Sequence, residues 1–554
     1  MLTLKMPNGQ LRQVEEGSCL LPLAECFAND FTSPIIEGVF NGEAYDLQKP
    51  LLENGSVDFI EINTAEGMRT YTRTLLFMLL VATKKLRADV HLEVRNTLGS
   101  ALYCIDQSSN KLTATDITAI EQLMQKMVEE KLPLRLERLS KQQLIAQNNV
   151  FGSEDSVALV NELPDDKKLS LYYLADIPGY LFGSMAPDCS YVPNFELLPY
   201  ADGVIINYPD EGNWQVLPSF IDQPRLNEAY QEAEEWSAMI QCNTVGKLNK
   251  ITEMGYADKI IQVAEALQEK KLANIADIIA KRKNELKLIL IAGPSSSGKT
   301  STAQRLSIQM AVNGLRPIPI SMDDYYKNRV DSPRKADGSY DFECLEAIDL
   351  ELFNEHLTKL LAGECVKMPK YNFRTGLREY RGQELQMAEN SVLVVEGIHG
   401  LNEKLTAAIP AAKKMKLYVS ALTPMSLDEY NRIHTTDVRL LRRMVRDSQF
   451  RSHDAEATLN SWHSVREGEE KYIFPYQCSA DIIFNTTLIY ELAVLKKYAQ
   501  PLLEAVRPEA GKAYRTARRL LNMLAYVRPI DDNSIPNNSI LREFVGGSIF
   551  KDAL

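Results

Sequence analysis

Apolar and polar residues alternate at the start of the chain, with Leu2, Leu4 and Met6 on one side of an extended segment that stops at the Asn8-Gly9 turn. A second Asn-Gly turn at Asn41-Gly42 separates further short strands, and Val57, Phe59, Ile60 and Ile62 mark the last of them. The apolar stretch 20–27 is the one good helix candidate there, so residues 1–63 are predicted to form a small β-rich unit of the β-grasp type. Residues 64–215 mix helical spacing over 70–86 and 115–130 with strand-like segments at 89–94 and 203–208, which predicts an α+β domain. From 225 to 287 apolar residues recur every three or four positions among many charges. Residues 216–286 therefore read as a helical connector.

The rhythm changes at Leu288. Apolar strands over 288–292, 318–322, 392–395, 417–419 and 482–484 alternate with longer helical patterns, the mark of a parallel sheet wrapped by helices. The fold class expected is multidomain α/β, with 287–554 as its carboxyl-terminal domain. A chain of 554 residues is in any case too long for one core.

Composition narrows the partners. A formal charge of −12 argues against a broad nonspecific grip on nucleic acid, although a local basic patch stays open. The longest apolar run, 75–82, is far short of the roughly 20 residues that cross a bilayer. The start lacks a basic region followed by a long apolar stretch, so a secretory signal is not expected. The eight cysteines are scattered without a CxxC pair, which suits reduced thiols and a cytoplasmic location.

The strand 288–292 runs directly into Gly293-Pro294-Ser295-Ser296-Ser297-Gly298-Lys299-Thr300-Ser301 and then into a helix, which is GxxxxGK[ST] in the context it requires. Such a loop turns its N–H groups toward phosphate oxygens at a helix N-terminus. Lys299 would supply charge to the β- and γ-phosphates, and Thr300 a hydroxyl to Mg²⁺. No NKxD guanine-reading motif follows the loop, which weighs against a switch GTPase. The strand 392–395 ends in Glu396, a single carboxylate able to hold Mg²⁺ through water; a solvated strand-end charge is its plainer reading. The strand 318–322 ends in Asp323-Asp324, where ligands of open α/β sheets bind, and a hydroxyl acceptor needs a carboxylate to take its proton. A helix-capping role is the alternative for that pair. Downstream, Arg439, Arg442, Arg443 and Arg446 share one helical face, with Arg451 and His453 beyond. They read as a lid over the phosphoryl group or as a solvated basic face.

With these residues in hand, 286–500 resembles the uridine kinase and phosphoribulokinase family. The resemblance rests on GPSSSGKT, MDDYY, YDFECLEAID (340–349), KYNF (370–373), VVEGIHGL (394–401), RRMVRD (442–447) and ADIIFN (480–485). It implies a five-stranded parallel sheet with Mg·ATP on the loop. It further implies Asp323 as catalytic base, assisted by Lys299 and Arg446, with Thr300 and Glu396 toward the metal. Arg451 would join the lid over ATP, and Tyr326, Glu343, Tyr371, Arg443 and His453 would face the substrate. Three departures stand out. Gly376 sits where a uridine kinase has a pyrimidine-reading His, Ser461 where it has a Gln, and His453 where it has an Arg. Losing base-reading groups changes discrimination.

The amino-terminal half is similar to the TGS and second additional domains of threonyl-tRNA synthetase. The helix that carries the synthetase's editing histidines reads Thr70-Tyr-Thr-Arg-Thr74 here, and no histidine lies between His91 and His356. Editing by that set is not expected; a module binding RNA or a small ligand, or a structural part, is. The whole arrangement resembles a bacterial nucleoside-kinase subfamily, as does the tail 539–548, whose simplest reading is a loop packed on the kinase. The expected activity is ATP-dependent phosphorylation of a nucleoside 5′-hydroxyl. A kinase for another polyol or sugar phosphate and an RNA- or ribosome-associated ATP switch remain as alternatives. Homo-oligomers occur among such kinases, but the sequence carries no interface signature.

Overall fold

The computed structural model describes residues 1–147, 154–335 and 338–550, so the last four residues of the tail lie outside the described residues. Strands β1 (Leu2–Lys5), β2 (Leu11–Val14), β3 (Ile35–Phe40), β4 (Glu43–Tyr45) and β5 (Gly55–Glu61) form a mixed sheet in the order β2-β1-β5-β3-β4. Helix α1 (Leu21–Phe27) lies between β2 and β3 in the chain and closes a core built on Leu4, Leu20, Phe27 and Phe59. This is the expected β-grasp.

Helix α2 (Ala65–Leu86) follows, capped by Thr64, whose hydroxyl accepts from Gly67 N. A sheet of β6 (Leu92–Leu98), β7 (Ala101–Asp106), β11 (Glu196–Tyr200) and β12 (Gly203–Asn207) runs in the order β11-β12-β7-β6. A second one joins β8 (Leu134–Ser140), β9 (Lys168–Leu174) and β10 (Ile177–Gly179). Helix α3 (Ala114–Glu129) starts at a capping box between Thr113 and Asp116. The strand expected over 89–94 instead begins at Leu92 and runs to Leu98, because its pairing with β7 resumes at Thr97 after a register shift that skips Arg95 and Asn96. Two short helices, α4 (Lys141–Ile145) and α5 (Glu154–Asn161), complete this region. The connector is three helices, α6 (Pro224–Met239), α7 (Val245–Glu253) and α8 (Ala257–Lys281). Ile261, Leu272 and Ile279 of α8 are buried in the same core as the sheet that follows.

That sheet contains β13 (Leu288–Ala292), β14 (Arg316–Ser321), β17 (Ser391–Glu396), β18 (Lys414–Ser420) and β19 (Ile482–Asn485), all parallel, in the order β14-β17-β13-β18-β19. Helices α9 (Lys299–Val312), α10 (Leu350–Leu361), α11 (Thr435–Phe450), α12 (Ala455–Tyr472), α13 (Glu491–Glu504) and α14 (Lys512–Leu524) pack about it, and one-turn α15 (Arg542–Val545) closes the chain. An antiparallel ribbon of β15 (Val366–Asn372) and β16 (Leu377–Leu385) stands beside the sheet. The mostly exposed polar residues of β16 gave no apolar alternation to read. Among the described residues no helix is long and apolar enough to cross a membrane.

Candidate active site

Three neighbouring parallel strands end together. Ile291 of β13 pairs with Glu396 of β17, and Glu396 with Ser321 of β14. The loop 293–298, Glu396 and the turn 322–325 are therefore assembled at one carboxyl edge by sheet register alone. Ser321 donates to Glu396 Oε1 at 3.0 Å.

The loop is closely confined. A Cβ on Gly293 would come within 1.9 Å of the Val419 carbonyl, so no other residue fits beside β18. Gly298 takes φ +83° at the entry to α9. The Ser296 and Ser297 hydroxyls are buried with no hydrogen-bond partner, and Lys299 Nζ folds back to donate to the Pro294 carbonyl at 3.0 Å. Orphan hydroxyls, a lysine ammonium and a helix N-terminus are a donor set suited to a polyphosphate. Thr300 stands beside them in the first turn of α9.

Asp323 lies on the turn after β14, where burial raises its pKa and the Lys299 ammonium opposes the rise. Burial, then the charge of Asp323, pushes Glu396 up to about 7. Two carboxylates forced together beside a lysine, with a threonine hydroxyl near, fit a hard cation that prefers oxygen ligands.

The arginines of α11 divide. Arg439 and Arg442 are fully buried and support the loop from beneath. Arg439 donates to the Ser295 carbonyl at 2.9 Å and pairs with Glu469, whose Oε1 also accepts from Ser295 N at 2.8 Å. Arg442 pairs with Glu491 and donates to the Thr486 carbonyl at 3.0 Å. These two are neither lid nor solvated face. Arg443 donates to Ser295 Oγ at 2.7 Å, Arg446 to Asp447 at 2.9 Å, and Arg451 lies 3.6 Å from the same Asp447. His453 is exposed on the turn beyond α11, its amide bonded to the Asp447 carbonyl.

On the far side of Asp323, the rings of Tyr326, Tyr371 and Phe373 cluster at 5.0 to 6.3 Å between centroids. Glu343 is held between Gly468 and this cluster, its pKa raised by burial and by Glu469 and lowered by Arg443. Gly376 takes φ +72°, and a Cβ there would meet Arg329 at 2.8 Å. Ser461 turns its hydroxyl to the Thr458 carbonyl of its own helix. Sequence reasoning missed Glu469, on the amide of Ser295 in the loop, and Glu543, on the amide of Ser301 in the first turn of α9. Nothing local marks Glu469, whereas Glu543 belongs to the tail that was singled out.

Residues 288–491 match the Phosphoribulokinase / Uridine kinase family. The match spans the parallel sheet and every α11 residue just described, so this part of the chain is similar to that kinase family. The amino-terminal region matches threonyl-tRNA synthetases. A threonine–tRNA ligase of Bacillus velezensis is 24% identical over 201 residues, covering 36% of this chain and 31% of the ligase. One of Streptococcus uberis is 26% identical over 204 residues, covering 36% and 31%. The chain thus spans about a third of the length of those relatives. Among solved structures, a protein described as a possible uridine kinase from Bacillus stearothermophilus is similar over 39% of this chain and 100% of its own, at 16% identity and a TM-score of 0.27.

Proposed function

We propose that the chain transfers the γ-phosphoryl group of ATP to a hydroxyl of a small acceptor, with a nucleoside 5′-hydroxyl the reading supported best. The observation that carries it is the pairing of strand ends that puts Lys299, Glu396 and Asp323 within electrostatic reach of one another. Asp323 orients the acceptor hydroxyl and takes its proton; its raised pKa suits a general base. Lys299 leaves the Pro294 carbonyl for the terminal phosphates, and Arg446, with Arg443 and Arg451, stands ready across the loop. Thr300 and Glu396 would hold Mg²⁺, which when bound neutralises charge on the phosphate oxygens. The ring cluster offers a stacking surface for a planar base, and Glu343 a carboxylate able to accept from a vicinal diol.

One observation favours a different acceptor. The side chain of Arg329 fills the space beside Gly376 where a base-reading imidazole would stand, and the positive φ disfavours any side chain there. A sugar phosphate or other polyol answers that feature. The amino-terminal half is, on this reading, a module for RNA or a small ligand, and the protein works in the cytoplasm. The test is incubation of the purified chain with Mg·ATP and a panel of nucleosides, sugars and sugar phosphates, with products separated by mass. A phosphorylated nucleoside is expected. A phosphorylated sugar phosphate with untouched nucleosides selects the second acceptor, and slow ATP hydrolysis stimulated by RNA without any phosphorylated product contradicts a kinase.

A further inference from the structure

The tail of the chain returns to the phosphate-binding loop. The Ser301 hydroxyl donates to Glu543 Oε2 at 2.6 Å and the Ser301 amide donates to the same oxygen at 3.3 Å. Ser301 lies in the first turn of α9, so its N–H is one of the helix N-terminal donors that such a loop offers to a nucleotide's phosphates. A carboxylate there is a resident anion in an anion's place. The contact is built, not incidental. Ile540 lies against Gly298, 2.7 Å from where a Cβ would be, and Phe544 is fully buried with the Arg442 guanidinium 5.0 Å above its ring. The segment is pinned further by Ser539 donating to Glu265 at 2.5 Å and by Arg542 paired with Asp532 at 2.8 Å. Phe544 and Ile540 are thus anchors, and Glu543 is the one charged group they deliver to the loop's helix.

The geometry points to Glu543 as a built-in competitor of the nucleotide: its carboxylate holds the Ser301 amide and hydroxyl in the resting chain and gives them up when a phosphate group arrives. This rests on the loop being a polyphosphate site, as proposed above. It deepens that reading by making nucleotide affinity adjustable from the carboxyl terminus. The displaced anion must leave because a carboxylate and a phosphate cannot share one N–H at contact distance without strong repulsion. Glu543→Gln keeps the shape and the anchors but removes the charge, so the competitor is weakened while the tail stays docked.

The experiment is equilibrium titration of the full chain and of Glu543→Gln with Mg·ATP, inorganic tripolyphosphate and adenosine, followed by calorimetry, with circular dichroism to verify the fold. Affinity for ATP and tripolyphosphate is expected to rise about tenfold in the variant, the scale of one charge-assisted hydrogen bond, with adenosine unchanged. Equal or weaker ATP binding by the folded variant overturns the competitor and makes Glu543 a support of the loop. Failure of both chains to bind ATP or tripolyphosphate overturns the phosphate site itself. Hydrogen exchange on the unmodified chain gives a second reading: protection across 540–546 should fall when ATP is added, and an unchanged or greater protection contradicts displacement.

Discussion

Glu396 and Asp323 are held close together by β17 and β14 at a cost to the empty chain. Burial and the charge of Asp323 raise Glu396 to about 7 from an ordinary value near 4.5. Between those values the folded chain binds more protons than the unfolded one, so stability falls as pH rises from about 4.5 to about 7. Glu396→Gln is expected to reduce that slope and to make the chain more stable at pH 8 by about 2 kcal/mol, while abolishing turnover. Urea unfolding at pH 5.5 and pH 8 checks this; an unchanged pH slope contradicts the account. Sequence was informative about residue types here. GPSSSGKT, the Asp323 turn and Glu396 were all legible because their chemistry follows strand ends, but the hold of Glu469 on Ser295 N crosses 174 positions and leaves no local trace.

Helix α11 shows what periodicity conveys and what it conceals. Spacing put Arg439, Arg442, Arg443 and Arg446 on one face, and they do share it, yet two of them serve the underside of the loop. The difference lies in partners: Arg439 and Arg442 meet the buried carboxylates of Glu469 and Glu491, which come from α12 and α13. A buried guanidinium is tolerable only when so paired. The strands of the parallel sheet were readable because they are apolar on both faces. The ribbon β15–β16 was not, since β16 is largely solvated and β15 buries only Val366, Pro369 and Tyr371. That ribbon nevertheless carries Tyr371 to the ring cluster and bonds its amide to Asp324 at 3.2 Å.

Across the whole molecule, the two halves meet through a buried carboxylate. Asp437 of α11 accepts from Arg69 of α2 at 3.2 Å and from Arg519 of α14 at 2.6 Å. Burial alone would raise its pKa, but the two guanidiniums hold it well below the usual carboxylate range. Its contribution is therefore present above about pH 4 and lost as acid protonates it. Asp437→Asn takes away the carboxylate charge that Arg69 and Arg519 share and is expected to cost about 3 kcal/mol. A fall of that size in urea-unfolding stability at pH 7, with loss of cooperativity between the halves, checks it; an unchanged midpoint contradicts it. Long-range clamps such as this were beyond the reach of sequence patterns, which located the parallel sheet and the β-grasp unit but not the contact between the two halves. The central claim is that the folded chain is a phosphoryl-transfer enzyme whose base is Asp323. Its most direct test is Asp323→Asn, assayed for Mg·ATP binding and for product formation with the best acceptor. The account predicts nearly unchanged ATP affinity with turnover lowered about a hundredfold or more, and full turnover by the variant would contradict it.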